Sequence, residues 1–414
     1  MRIRNPALLR AIFACKGHFR PAIKPAERIF NGIAIAPFKN NARAAVTISA
    51  DFELAWAFRH RGDEFCFAKA RQCRENFDHL LSIFNDRDIP ITWATVGHLF
   101  LESCARGSGG LAHPDMPRPP RNSFWAGDWY MHDPCTNYER DPFWYAPELI
   151  ERMLASRVRH EIGSHSFSHI DFSPQCSDTT LVRREIEASA SAMRRFGLAP
   201  RSLVYPFNRM GHRYLDALAE SSITAVRHRD RRRRLSYPER TASGVYKIYE
   251  SMNLRIARHY EYLDKVKIFL DEAMTRQAVF HLWFHPSDPA PVIQGELPKI
   301  VRYIGSQRDE GSIWVSTMSE LVAYCEARER LTPQIVEETS RDMRIAWRGF
   351  FPSDLYGHTE LSLILPPSFL PRTVTLTTEQ GSRPLPVAHS VPRMAGGSTV
   401  LNMPTSAKSL HVAF

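Results

Sequence analysis

The run His160-Glu161-Ile162-Gly163-Ser164-His165-Ser166-Phe167-Ser168-His169 is a short apolar strand that ends in two histidines four residues apart. If the turn after the strand is tight or helical, both imidazoles face one cation, which is the geometry of a small metal site. A chain with 17 histidines contains such a pair by chance, so the spacing takes its meaning from what surrounds it. Three other runs share its outline, an apolar strand followed at once by residues able to do chemistry. They are Ala44–Ala50 before Asp51-Phe52-Glu53, Ser202–Tyr205 before Pro206-Phe207-Asn208-Arg209, and Ala278–Phe284 before His285-Pro286.

Helices separate these strands. Phe67, Ala70, Cys73, Phe77, Leu80, Leu81 and Phe84 recur at helical spacing and predict a helix over 66–85. A strand over 91–96 and a helix starting at 99–101 follow. The same alternation predicts helices over 147–156, 178–196, 211–221, 258–274, 297–306 and 318–330, and strands over 160–164, 202–205, 224–227, 245–249, 278–284 and 312–315. Strand and helix in strict alternation imply a parallel α/β architecture, barrel-like or open, with the ligand site at the C-terminal ends of the strands. Between Ala105 and Pro147 the pattern breaks into a long insertion rich in Gly, Pro and aromatic residues, a length typical of a lid or wall. Aromatic side chains there suit stacking on sugar rings, or they pack on one another. Short strand-like runs at 344–350, 361–365, 373–378, 399–403 and 410–414 predict a small β-domain over 333–414. The expected division is a basic leader 1–43, a barrel 44–332 and this β-domain.

With 414 residues and 43% hydrophobic composition the chain can bury a large core, and its net charge of +10 favours an anionic neighbour. The densest charge run is Arg227-His228-Arg229-Asp230-Arg231-Arg232-Arg233-Arg234. It reads as a solvated loop, a grip for a substrate diphosphate or a nucleic-acid surface, although the interleaved aromatics of a single-strand binder are missing. Seven cysteines with no Cys-x-x-Cys pair indicate free thiols in a reducing compartment. Met1–Asn41 has no apolar run long enough for a signal or a membrane span, which places the protein in the cytoplasm. Within it, Pro6–Cys15 reads as a basic amphipathic helix for an anionic membrane face or as part of a poorly ordered leader.

Asp51 and Glu53 lie two apart at a strand end, so both carboxylates point the same way, and such a pair tends to divide into a ligand and a base. With His165 and His169, Glu53 completes a two-histidine, one-carboxylate set with open positions. Such a set serves a Lewis-acid hydrolase or a non-haem iron oxygenase, and the α/β pattern argues against the second. His285 closes an apolar strand at Pro286 and suits a general acid, whereas His281 lies inside that strand. Pro206–Arg209 offers a backbone donor or a side chain that orients the base.

Together these stretches resemble the polysaccharide deacetylase family, the one sharing the NodB homology domain. The matching pieces are ISADFE, GSHSFSH, SLVYPFNR and LWFHP, over roughly residues 44–330. The resemblance implies a distorted (β/α) barrel, here followed by the small all-β domain. It also implies Asp51 as general base, His285 as general acid, and Glu53, His165 and His169 as ligands of one divalent ion, Zn²⁺ by preference. Trp56, Pro206, Asn208 and Arg209 become the expected substrate-binding residues, and an N-acetylated saccharide the expected substrate. Two departures stand out. The usual first motif has adjacent aspartates where this chain has Asp51-Phe52-Glu53, and Phe207 stands where the third motif carries the arginine that holds the base. Without an export signal, the expected substrate is lipid- or nucleotide-linked. The alternatives on the same fold are an allantoinase-like hydrolase opening a cyclic ureide and a non-catalytic binder of an anionic ligand.

Overall fold

Every residue of the strand Ala44–Phe52 is buried, as a continuous apolar run requires of a strand covered on both faces. The computed structural model describes residues 1–414 except 1, 2, 4, 21, 255–259, 368, 369, 386, 387 and 390–398. In it this strand pairs in parallel with Val279–Phe284 on one side. On the other side it pairs with Ile313–Ser316 along its first half and with Thr92–Thr95 along its second. The parallel sheet continues through Glu161–Ser164, Ser202–Val204, Ala225–His228 and Tyr246–Tyr249. The chain beyond Tyr249 then bonds to both ends of the sheet, Glu250 N–H to His228 O and Ser251 N–H to His281 O. Met252–Asn253 runs parallel to Val279–Phe284, so the sheet curls round on itself into a distorted barrel.

Helices cover its outside because their apolar residues share one face: Ala70, Cys73, Phe77, Leu80 and Phe84 of Asp63–Asp86 are buried, as are Leu181, Val182, Ile186 and Met193 of Thr179–Arg194. Tyr262–Arg276 begins later than the spacing predicts, and residues 258 and 259 of the expected helix lie outside the described ones. The helix expected at 99–101 is a single 3₁₀ turn, Gly97–Phe100. Its backbone is used elsewhere: Gly97 and His98 donate to Ser166 O and Phe167 O and so pin the histidine-bearing turn. Gly97 is needed there, since a Cβ would lie 2.8 Å from Ser189 Cα. The helix expected at 211–221 shortens to Leu215–Glu220 behind another 3₁₀ turn.

The C-terminal region is a sandwich. Glu360–Ile364 and Thr399–Pro404 lie in one antiparallel sheet, and Thr332–Glu338, Asp342–Arg348, Thr373–Thr378 and Ser409–Ala413 in the other. Their inner faces share one core, with Leu361, Leu363 and Met403 opposed to Ile345, Leu376 and Val412. The stretch before residue 44 contributes to it: Ile33–Ile35 pairs antiparallel with Glu360–Ile364, placing Ile35 opposite Leu363. Pro6–Cys15 is helical, and its Leu9 and Phe13 are buried, Phe13 edge-on to Phe269 at 5.6 Å. That apolar face therefore packs on the barrel. No helix of the described residues is long and apolar enough to cross a membrane.

Candidate active site

Parallel strands deliver their C-terminal residues to one end of a barrel, and Asp51, His165, Arg227 and His285 all arrive there. The turn after Glu161–Ser164 is tight. Ser166 and His169 take positive φ of 59° and 57°, and Leu54, Phe207 and Asn208 around the same mouth do likewise at 46°, 58° and 52°. Such backbone costs free energy and persists where surroundings over-determine it. Here the determinant is buried Glu185, which accepts from Ser168 N–H at 2.8 Å and Ser168 Oγ at 2.6 Å.

The turn brings both histidines onto one carboxylate. His165 Nδ1 donates to Val204 O at 2.8 Å, which turns its Nε2 onto Glu53 Oε1 at 3.0 Å. His169 Nε2 faces the same oxygen at 3.1 Å, and burial lowers its pKa to about 4, which keeps it neutral. Burial works to protonate Glu53, but the charge of His285 and the two imidazoles outweigh it and hold the carboxyl well below its usual range. Two imidazole nitrogens and a carboxylate turned onto one point form a donor set that fits a divalent cation.

Asp51 lies beside this set, gripped by Arg227 through two parallel bonds, Nη1 to Oδ1 at 2.5 Å and Nη2 to Oδ2 at 2.7 Å. Arg227 also donates to Ser49 Oγ and Asn208 Oδ1, both at 3.1 Å, and lies 4.3 Å from the Trp283 ring centroid. His281 supports it from below: buried and held far below its usual pKa by burial, it bonds Ser49 Oγ at 3.0 Å and Thr47 Oγ1 at 2.7 Å. His285 stands opposite, its Nε2 4.0 Å from Asp51 Oδ2 and 3.9 Å from Glu53 Oε2, with 26% of its side chain exposed. Burial opposes its charge, but Glu53, Asp288 and Asp51 outweigh burial and raise its pKa to about 9.

The insertion forms one wall. Between Phe100 and Pro147 it has only the isolated bridges Ser103–Asn137 and Arg106–Ala112 among its described residues. Phe124 stacks on Phe207 at 4.4 Å, and Phe207 lies edge-on over His169 at the same distance. Trp56 is deeper inside this wall, 1% exposed, its indole N–H on Trp144 O at 3.2 Å. Pro206 is buried in its turn, and Arg209 is half exposed, paired with Asp171 and 5.2 Å from the Phe124 centroid.

Residues 65–226 match the family model named polysaccharide deacetylase. The chain carries a polysaccharide deacetylase domain. That family comprises hydrolases of carbon–nitrogen bonds in acetylated sugars. Among solved structures, a Mycobacterium smegmatis protein assigned to the polysaccharide deacetylases is 15% identical, covers 77% of this chain and 99% of its own, and has a TM-score of 0.51. A Pseudomonas aeruginosa PAO1 protein given the same assignment is 13% identical over 69% of this chain and 92% of its own, with a TM-score of 0.48. The allantoinase Puue is 14% identical over the same shares, with a TM-score of 0.47. At such identities the likeness is one of fold. No curated protein sequence matches the chain.

The matched stretch of the deacetylase domain contains His165, His169 and Pro206–Arg209, while Asp51, Glu53, Arg227 and His285 lie outside it and reach the site through the fold. Arg227 is the residue that sequence reasoning passed over, absorbed into the charge run. Its signal was present, for an arginine inside the apolar strand Thr224-Ala225-Val226 needs a buried carboxylate partner. Three more arginines of the run are engaged: Arg229 pairs with Glu250, Arg233 with Glu239, and Arg234 donates to Ser251 O.

Proposed function

We propose that the deacetylase domain removes the acetyl group of an N-acetylated sugar with the help of one divalent cation. The carrying observation is that an imidazole–carboxylate donor set, an arginine-clamped carboxylate and a protonated histidine converge within one cleft. Glu53, His165 and His169 would hold the cation, and Zn²⁺ suits that ligand set with positions left open. When bound, it supplies Lewis acidity, lowering the pKa of a water and polarising a carbonyl.

The side chains divide the proton transfers. Asp51 takes the proton of the attacking water: Arg227 occupies one lone pair on each of its oxygens, and a carboxylate oxygen has a second to offer. As the carbon–nitrogen bond breaks, His285 passes its Nε2 proton to the departing amine, giving acetate and a free amino sugar. Phe124 and Phe207 offer an apolar face to a sugar ring. Beside them is a cavity of about 160 Å³ lined by Asn208, Arg229, Arg234, Glu250 and Trp283. Arg234 Nε and Glu250 Oε2 there are buried without a hydrogen-bond partner among the described residues, which suits a polyhydroxylated ligand, and the guanidinium groups suit a linked phosphate.

The deciding experiment is acetate release from a panel of N-acetylated sugars and nucleotide sugars, with and without chelator. Release that chelation abolishes and Zn²⁺ restores is the expected result. Acetate from no sugar, with turnover of small cyclic ureides, would overturn the reading.

His285 also sets a pH dependence. The acid form is lost as pH rises through its raised pKa, so that group defines the alkaline limb of kcat/KM. Asp288 accepts from the His285 backbone N–H at 2.9 Å and its carboxylate raises the imidazole pKa. Asp288→Asn removes that contribution and is expected to move the alkaline limb to lower pH by on the order of one pH unit. A limb that stays in place in the variant's pH–rate profile excludes His285 as the group responsible.

A further inference from the structure

A second convergence of ligand atoms lies in the aromatic wall, outside the catalytic cleft. His98 Nε2 and His113 Nε2 are 3.1 Å apart, and both face Asp133 Oδ2, at 3.0 Å and 2.7 Å. Cys104 Sγ closes the group at 3.6 Å from the same oxygen. His98 and Asp133 side chains are fully buried, and His113 is 11% exposed. His98 Nδ1 lies 3.2 Å from Trp144 O, a carbonyl that can only accept, so Nδ1 carries the proton and Nε2 presents a lone pair to the carboxylate. The one proton His113 can place between these atoms leaves the His98 lone pair facing Asp133 Oδ2. The other carboxylate oxygen is already served, for Oδ1 accepts from Cys135 N–H at 2.9 Å and from Tyr145 OH at 3.3 Å.

We propose that His98, Cys104, His113 and Asp133 bind a structural Zn²⁺ that fastens the insertion to the barrel. Four donors with sulfur among them and no open position describe a structural site rather than a catalytic one. Tetrahedral Zn²⁺ with nitrogen and oxygen at about 2.0–2.1 Å and sulfur at about 2.3 Å sets donor separations of about 3.3–3.6 Å, close to those found here. The supporting bonds to His98 Nδ1 and Asp133 Oδ1 are those that orient ligands around a bound metal. His98 sits in the 3₁₀ turn Gly97–Phe100 that follows the strand Thr92–Thr95, whereas Cys104, His113 and Asp133 are spread along the irregular insertion. One ion thereby ties three points of that loop to the barrel. A long loop without helix or strand needs such a constraint to hold Phe124 against Phe207.

The test is cobalt substitution with metal analysis of the full chain. Neither Glu53, His165 nor His169 brings sulfur, so a thiolate-to-cobalt absorption in the near ultraviolet belongs to the second site even if the catalytic reading fails. Wild type is expected to hold about two equivalents of Zn²⁺. Cys104→Ser and His113→Asn are expected to lose one equivalent and the thiolate band, with faster proteolysis between residues 101 and 146, while His165→Asn keeps the band. Full-length protein with one equivalent or less, no thiolate band on Co²⁺ loading and unchanged metal content in Cys104→Ser would overturn the proposal. Because the band is read on wild type, the proposal is decided even if a variant does not fold.

Discussion

Asp51→Asn is expected to lower kcat for acetate release by roughly a hundred- to ten-thousand-fold, the usual contribution of a positioned general base. The carboxamide matches the carboxylate in shape and its oxygen still accepts one bond from Arg227. Its NH₂ group, however, cannot take a proton from water and turns a donor towards a guanidinium donor 2.5–2.7 Å away. The base is thus removed while the cleft keeps its form. Metal content separates this role from that of a ligand, because Asp51 also lies within ligand distance of Glu53 and His285. Steady-state kinetics with metal analysis on the same preparation decides the matter: collapsed turnover with the cation retained fits a base, and loss of the cation would make Asp51 a ligand instead.

The barrel was legible because its strands are unbroken apolar runs and its helices keep one apolar face, so period alone separates them. The catalytic end was legible for the same reason: parallel strands place their last residues and whatever follows them at one edge, and Asp51 lies at the end of a strand while Glu53, His165, His169 and His285 follow strands. What depended on distance across the sheet was not legible. The Arg227–Asp51 pair joins residues 176 apart, and no local pattern encodes it. His98, Cys104, His113 and Asp133 have no short metal-motif spacing, and their convergence depends on how an irregular loop returns to the barrel. Ile33–Ile35 escaped notice because a three-residue strand gives little alternation, and its partner, Glu360–Ile364, lies at the other end of the chain.

Arg227→Met is expected to cost about 3–5 kcal/mol of stability and to reduce kcat by about a hundredfold or more. Both members of the pair are buried, at 2% and 4% side-chain exposure, so deleting the guanidinium leaves a largely desolvated carboxylate without its countercharge. The bonds to Ser49 and Asn208 and the contact with Trp283 go with it. Stability and catalysis separate in a double variant. Arg227→Met with Asp51→Leu removes both charges, so most of the lost stability should return in urea unfolding while acetate release stays abolished. Arg227→Lys gives the complementary test, since it keeps the charge but loses the fork, and partial stability with impaired turnover is expected. If Arg227→Met folds and turns over like wild type, the clamp has no role in orienting the base. The same geometry accounts for the phenylalanine in the third motif. With the clamp supplied from the strand Ala225–His228, position 207 need not carry a charge, and its ring lies instead between His169 and Phe124 as an apolar cover on the site.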